Sequence, residues 1–116
     1  MTVPTDPAGV NYVRRVLDSY CHTPGTCGHV RPADRRLARD LFARAVPLQS
    51  LLDAFLLASA RRFRSATDGP PPPTVRSLAY FLPVLEELSS APLSDDYRRY
   101  LATTLARLST PLDIFR

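Results

Sequence analysis

Leu48-Gln49-Ser50-Leu51-Leu52-Asp53-Ala54-Phe55-Leu56-Leu57-Ala58-Ser59-Ala60 decides the fold of this chain. From Leu51 to Ala60 it is apolar on nearly every side of a helix, and only Asp53 is charged. Such a helix is normally the buried centre of a bundle, since any uncovered side would hold apolar side chains in water. Arg61-Arg62-Phe63-Arg64 follows, and cations are favourable at the negative end of a helix dipole. The pattern predicts a helix over about Leu48–Arg62.

Amphipathic segments lie on both sides of this rod. Towards the N-terminus, Val46-Pro47 breaks a segment that reads as helix from about Pro32 to Ala45. Proline suits its first turn and Asp34 suits its positive end. Leu37, Ala38, Leu41, Phe42 and Ala45 form its apolar stripe. Arg35, Arg36, Arg39 and Arg44 lie outside the stripe, with Asp40 placed to pair with Arg36. Cys21 to Arg31 carries the turn signals Thr23-Pro24-Gly25 and Cys27-Gly28. Before it, Val10, Val13, Leu17 and Tyr20 recur at helical spacing, which predicts a first helix over about Ala8–Tyr20.

On the C-terminal side, Ser65 to Pro73 is a linker, and Pro70 to Pro73 make a stiff spacer. Leu78, Phe81, Leu82, Leu85 and Leu88 form one face of a fourth helix over about Ser77–Leu88. Pro83 lies inside it and should kink it or split it into two pieces. Ser94 caps a fifth helix, with Asp95 and Asp96 in its first turn. Tyr97, Leu101, Leu105 and Leu108 share its apolar face, and Arg98, Arg99 and Arg107 are expected to face outward. No segment alternates with a period of two for long enough to compete as a strand. The expected fold is all-α: a compact bundle of about five helices, with a Pro-rich linker between helices three and four. Residues 8–110 form one domain between flexible tails at 1–7 and 111–116.

Composition narrows the function. Of 116 residues, 45% are hydrophobic and 22% charged, enough apolar surface for a folded domain. No apolar run reaches the roughly 18 residues that a bilayer span needs, and residues 1–7 lack a positive segment followed by an apolar one. A cytoplasmic protein without membrane contact is expected.

No catalytic set is visible. There is no G-x-S-x-G, and the four glycines build no phosphate loop. Glu86-Glu87 and Asp95-Asp96 are helix neighbours whose side chains diverge. Cys21-His22-Thr23-Pro24-Gly25-Thr26-Cys27-Gly28-His29 holds the ligand types of a zinc site, with Cys21, Cys27 and His29 as the candidates. Its spacing is poor, with five residues between the cysteines, and two cysteines build no disulfide scaffold. The chain is expected to be neither an enzyme nor a cofactor or metal protein.

Charge is the remaining feature. Fifteen basic residues against eleven acidic give +4, and all fifteen are arginine. Arginine binds phosphate and carboxylate bidentately and stacks on bases. The candidate nucleic-acid contacts are Arg35 and Arg39, Arg61 and Arg62, and Arg98 and Arg99, the last two flanked by Tyr97 and Tyr100 as rings for base stacking. Arg14 and Arg15 on the first helix form a further group. Solvated helix faces, whose arginine stems cover apolar surface, are the competing explanation.

The order of elements resembles the C-terminal domain of the DnaD-like replication proteins, over roughly residues 12–88. That family carries a Y-x-x-x-[IV]-x-x-x-W signature, and Tyr80-Phe81-Leu82-Pro83-Val84-Leu85-Glu86-Glu87-Leu88 is similar to it. Tyr80 and Val84 are in place, Leu88 stands where the family has Trp, and Pro83 is foreign to the pattern. The resemblance implies a helical module of DNA replication or mobile-element machinery that contacts a helicase or initiator protein. It also implies weak binding to single- or double-stranded DNA, with Arg98 and Arg99 as the basic residues beyond the signature. The alternative is a protein-interaction or regulatory adaptor that binds no nucleic acid.

Overall fold

Leu51, Ala54, Phe55, Leu57, Ala58, Ser59 and Ala60 are all buried, so the central apolar run is covered on more than one side. The computed structural model describes residues 7–65, 69, 70 and 72–109, with backbone alone for Ser65, Leu108 and Ser109. Residues 1–6, 66–68, 71 and 110–116 lie outside the described residues, which takes in the expected C-terminal tail at 111–116, part of the linker and the expected N-terminal tail at 1–7 except Pro7, which is already helical. In chain order the α-helices are α1 (Pro7–His22), α2 (Pro32–Ala43), α3 (Leu48–Ser65), α4 (Leu82–Ser90) and α5 (Asp95–Ser109). A 3₁₀ turn, Leu78–Phe81, leads directly into α4. Among the described residues the only β feature is a single parallel bridge between Thr26 and Val75. The fold is an all-α bundle.

Helix α3 packs against α1, α4 and α5, and against the 3₁₀ turn. Its Leu51, Phe55 and Ala58 join Val13, Val16, Leu17 and Tyr20 of α1 with Ala38 and Leu41 of α2 in one apolar cluster. Its Ala54, Leu57 and Ala60 join Leu88 and Leu101 in a second cluster. Three rings pin the first cluster: Phe55 and Phe81 meet edge to face at 4.9 Å, and Tyr20 lies 6.5 and 6.2 Å from them. Such tilted contacts place ring edges against ring faces, the favourable arrangement of their charge distributions.

Helices α1, α3 and α4 run two or three residues further than expected, to His22, Ser65 and Ser90, whereas α2 ends early. Helix α2 stops at Ala43 because Ala45 takes φ 59°, the left-handed region. The N–H groups of Ala45 and Val46 turn back to the carbonyls of Phe42 (3.0 Å) and Leu41 (3.1 Å), the pairing that closes many helix C-termini. The fourth helix is two pieces, as Pro83 suggested: the proline sits in the first turn of α4, where no N–H is needed, and the chain before it tightens into the 3₁₀ turn. Asp40 pairs with Arg44 (3.2 Å) rather than with Arg36.

Asp34 ties two remote elements together. It is 2% exposed. One carboxylate oxygen accepts the Arg31 N–H at the start of α2 (3.0 Å), and the other accepts the N–H of Leu78 (2.9 Å). The second bond fixes where the chain returns after the proline linker. Tyr12 makes a similar tie: its hydroxyl donates to the Val46 carbonyl (2.8 Å), and burial pushes its phenol up to about 12.

Asp34→Ala leaves the Leu78 N–H buried without an acceptor and removes the cap of α2. It should cost about 2–4 kcal/mol in denaturant unfolding, with Asp34→Asn costing less because its amide oxygen keeps one of the two bonds. Equal stability of Asp34→Ala and the natural chain would contradict this role.

Candidate functional site: the arginine surface

Three of the six sequence-derived arginines, Arg61, Arg62 and Arg98, serve the fold. Arg98 does not face outward as expected. Its Nε and Nη2 donate to the two carboxylate oxygens of Asp53 at 2.7 and 2.9 Å, and its Nη1 donates to Asp95 at 2.6 Å. The reason lies in α3: Asp53 is 6% exposed, and a buried carboxylate needs a counter-charge. Burial pushes the Asp53 carboxyl up, but Arg98 and the Gln49 amide (2.9 Å) outweigh it and hold it below the ordinary carboxylate range. The two acids in turn hold the Arg98 guanidinium above its ordinary value, against partial desolvation.

Arg61 and Arg62 are likewise engaged. Arg61 makes two hydrogen bonds to Glu87 of α4, 3.1 and 2.5 Å, which raise its own pKa and lower that of Glu87. Arg62 lies 5.5 Å above the Tyr80 ring and donates to the Pro73 carbonyl (2.6 Å) and the Tyr80 hydroxyl (3.3 Å). It thereby clamps the linker's end to α3. Gly25, at φ +93°, lies under the same guanidinium: a Cβ there would come within 3.4 Å of it.

Arg99 stays exposed and among the described residues meets only the exposed Asp96, at 3.3 Å, a contact of little energy in water. Tyr97 and Tyr100 are 43% and 52% exposed and stack on each other, ring centroids 5.9 Å apart. Of the signature positions, Tyr80 belongs to the 3₁₀ turn while Val84 and Leu88 belong to α4, so a single helix does not carry all three. Leu88 is buried, and Tyr80 is partly exposed beneath Arg62.

Arg35 and Arg39 are brought together with Arg14. A groove of about 440 Å³ runs between α1 and α2, with Arg14 on one side and Arg35 and Arg39, one turn apart, on the other. Its floor includes Val10, Val13 and Leu17. Among the described residues none of these three guanidinium groups has a hydrogen bond or an ion pair. Asp18 at the groove's end faces its own partner, His22, at 3.5 Å. The other clefts differ: Arg44, beside the cleft between α2 and α4, is paired with Asp40, and Arg61 and Arg62, beside Tyr80 and Pro73, are paired as described.

The zinc candidates do not assemble. Among the described residues no three His, Cys, Asp or Glu side chains come together as metal ligands. Cys21 is still helical and packs against the main core, where burial chiefly pushes its thiol up. Cys27 turns towards the His29 carbonyl (3.7 Å), and its backbone N–H pairs with Val75 (2.9 Å). Both cysteines are free thiols. No helix among the described residues is long and apolar enough to cross a membrane.

Comparison with protein-family models, with curated proteins and with solved structures gave no match.

The sequence pattern missed the use of Arg98 and the share of Arg14 in the groove. A signal for the first was present: a lone acid on an otherwise apolar helix requires a basic partner from a neighbouring element. Because the Asp53 carboxyl is held low, its contribution to stability is complete above about pH 4, its unfolded value. It is lost as the pH falls through the lower folded value. Asp53→Asn should therefore lower Tm by several degrees at pH 7 and flatten the acid limb of the stability curve, measured by circular dichroism. An unchanged acid limb would refute the assignment.

Proposed function

We propose that this chain is a non-enzymatic helical module of DNA replication or mobile-element machinery. It binds DNA weakly through Arg14, Arg35 and Arg39 and contacts a helicase or initiator protein. One observation supports DNA binding above the others: three guanidinium groups from two helices converge on one groove with no acid assigned to them. Unpaired cations at a shared surface are what phosphate binding requires. The place in replication rests on the resemblance of residues 12–88 to the DnaD-like domain. Arg98, Arg61 and Arg62 leave the list of contacts because each already holds a partner within the fold. Arg99, beside the exposed Tyr97 and Tyr100, remains a secondary contact.

A second reading, an adaptor for proteins alone, is favoured by the same groove's apolar floor. Salt dependence separates the two. Labelled single-stranded and duplex oligonucleotides should bind with micromolar to submillimolar Kd at 50 mM salt. Three phosphate contacts should weaken single-strand binding about 20-fold on going to 200 mM. Arg35→Ala/Arg39→Ala should remove most of that slope, while Arg99→Ala/Arg107→Ala leaves most of the affinity. Affinity no better than millimolar at low salt, or a double variant at α2 that changes nothing, would end the DNA reading.

A further inference from the structure

The floor of the α1–α2 groove is more apolar than a phosphate backbone needs. Val10 is 44% exposed although it continues the stripe of Val13 and Leu17, which are nearly buried at 7% and 5%. Val10 is therefore the one of the three that offers apolar surface to a partner, while Val13 and Leu17, on the same face of α1, belong to the main core beneath it. Arg14 borders one side of the groove, and Arg35 and Arg39 border the other. An exposed apolar residue between two basic rims, with Asp18 at the groove's end as an opposing charge, is complementary to a helix with an apolar face flanked by carboxylates.

We propose that this groove docks an acidic amphipathic helix of a partner protein. The inference rests on the reading that the α1–α2 arginines form the working surface, and it names the chemistry of the protein that uses them. Leucine-type side chains along one face of the partner cover Val10 at the groove's mouth, and the rest of that face lies along the groove between the arginines. Glutamates or aspartates on its two flanks take the guanidinium groups as charge-assisted, bidentate partners. Lysine-rich helices are excluded by repulsion from both rims. Because the carboxylates and DNA phosphates use the same three arginines, the helix and DNA compete for this face.

The test uses the full chain with three probes. One is a 14-residue helical peptide with leucine at i, i+3 and i+7 and glutamate on both flanks. The others are a peptide of the same composition in scrambled order and a 20-nucleotide single strand. The patterned peptide should bind at least tenfold more tightly than the scrambled one and should displace the oligonucleotide. Val10→Asp should weaken the patterned peptide at least tenfold and, through repulsion of phosphate, the oligonucleotide as well. Val10 is exposed and close to the positive end of α1, so the new acid should leave Tm almost unchanged, which circular dichroism verifies. Val10→Ser, which adds no charge, should weaken the peptide several-fold and leave oligonucleotide binding almost unchanged. Equal binding of the two peptides, or patterned-peptide binding insensitive to both Val10 variants, would overturn the inference and leave the DNA reading standing. Peptide binding that meets these expectations beside an oligonucleotide that does not bind would uphold the inference and overturn the DNA reading.

Discussion

Covering α3 is the constraint on which the other elements depend. The helix is apolar on nearly every side from Leu51 to Ala60, so it needs neighbours on several sides. Helix α1 and the 3₁₀ turn supply one side, and α4 and α5 another. The same constraint sets the electrostatics. Asp53 is drawn into the interior by the helix that carries it, and α5 must then give up Arg98 to match it. Removing either partner leaves the other with its desolvation uncompensated.

The working surface follows as what remains. Arginines near the ends and edges of α3 were placed by the sequence at exposed positions, but the covering elements bring acids, rings and carbonyls within their reach. Arg61, Arg62 and Arg98 become struts that hold α4, the linker and α5 in place. Helix α2 lies outside this arrangement. It packs on α1 through Ala38 and Leu41, and among the described residues the acid lining the α1–α2 groove is Asp18, itself beside His22. Its arginines therefore keep their capacity for an external anion.

Much of the architecture was legible because its signals are local. Period-3.6 stripes, Pro32 and Pro83 at first turns, and the Ser94 cap specify elements without reference to the rest of the chain. Ser94 indeed accepts the Tyr97 N–H at 3.1 Å. What escaped the sequence is long-range. Asp34 reads as an ordinary first-turn acid, yet half of its hydrogen bonding goes to Leu78. The exposure of an arginine cannot be read from helical phase when a partner lies on another helix, as Arg98 and Asp53 demonstrate. The groove suffers from the same limit: Arg14 and Arg35 become neighbours only after α1 and α2 pack together.

Backbone amide chemical shifts, followed by nuclear magnetic resonance as a short polyanionic oligonucleotide is titrated in, test the central claim most directly. The account predicts that the changes centre on α1 around Val10–Leu17 and on α2 around Arg35–Arg39, with α3 silent. Changes confined to α5 around Tyr97–Arg107 would contradict it, because the groove between α1 and α2 would then not be the surface that meets anions.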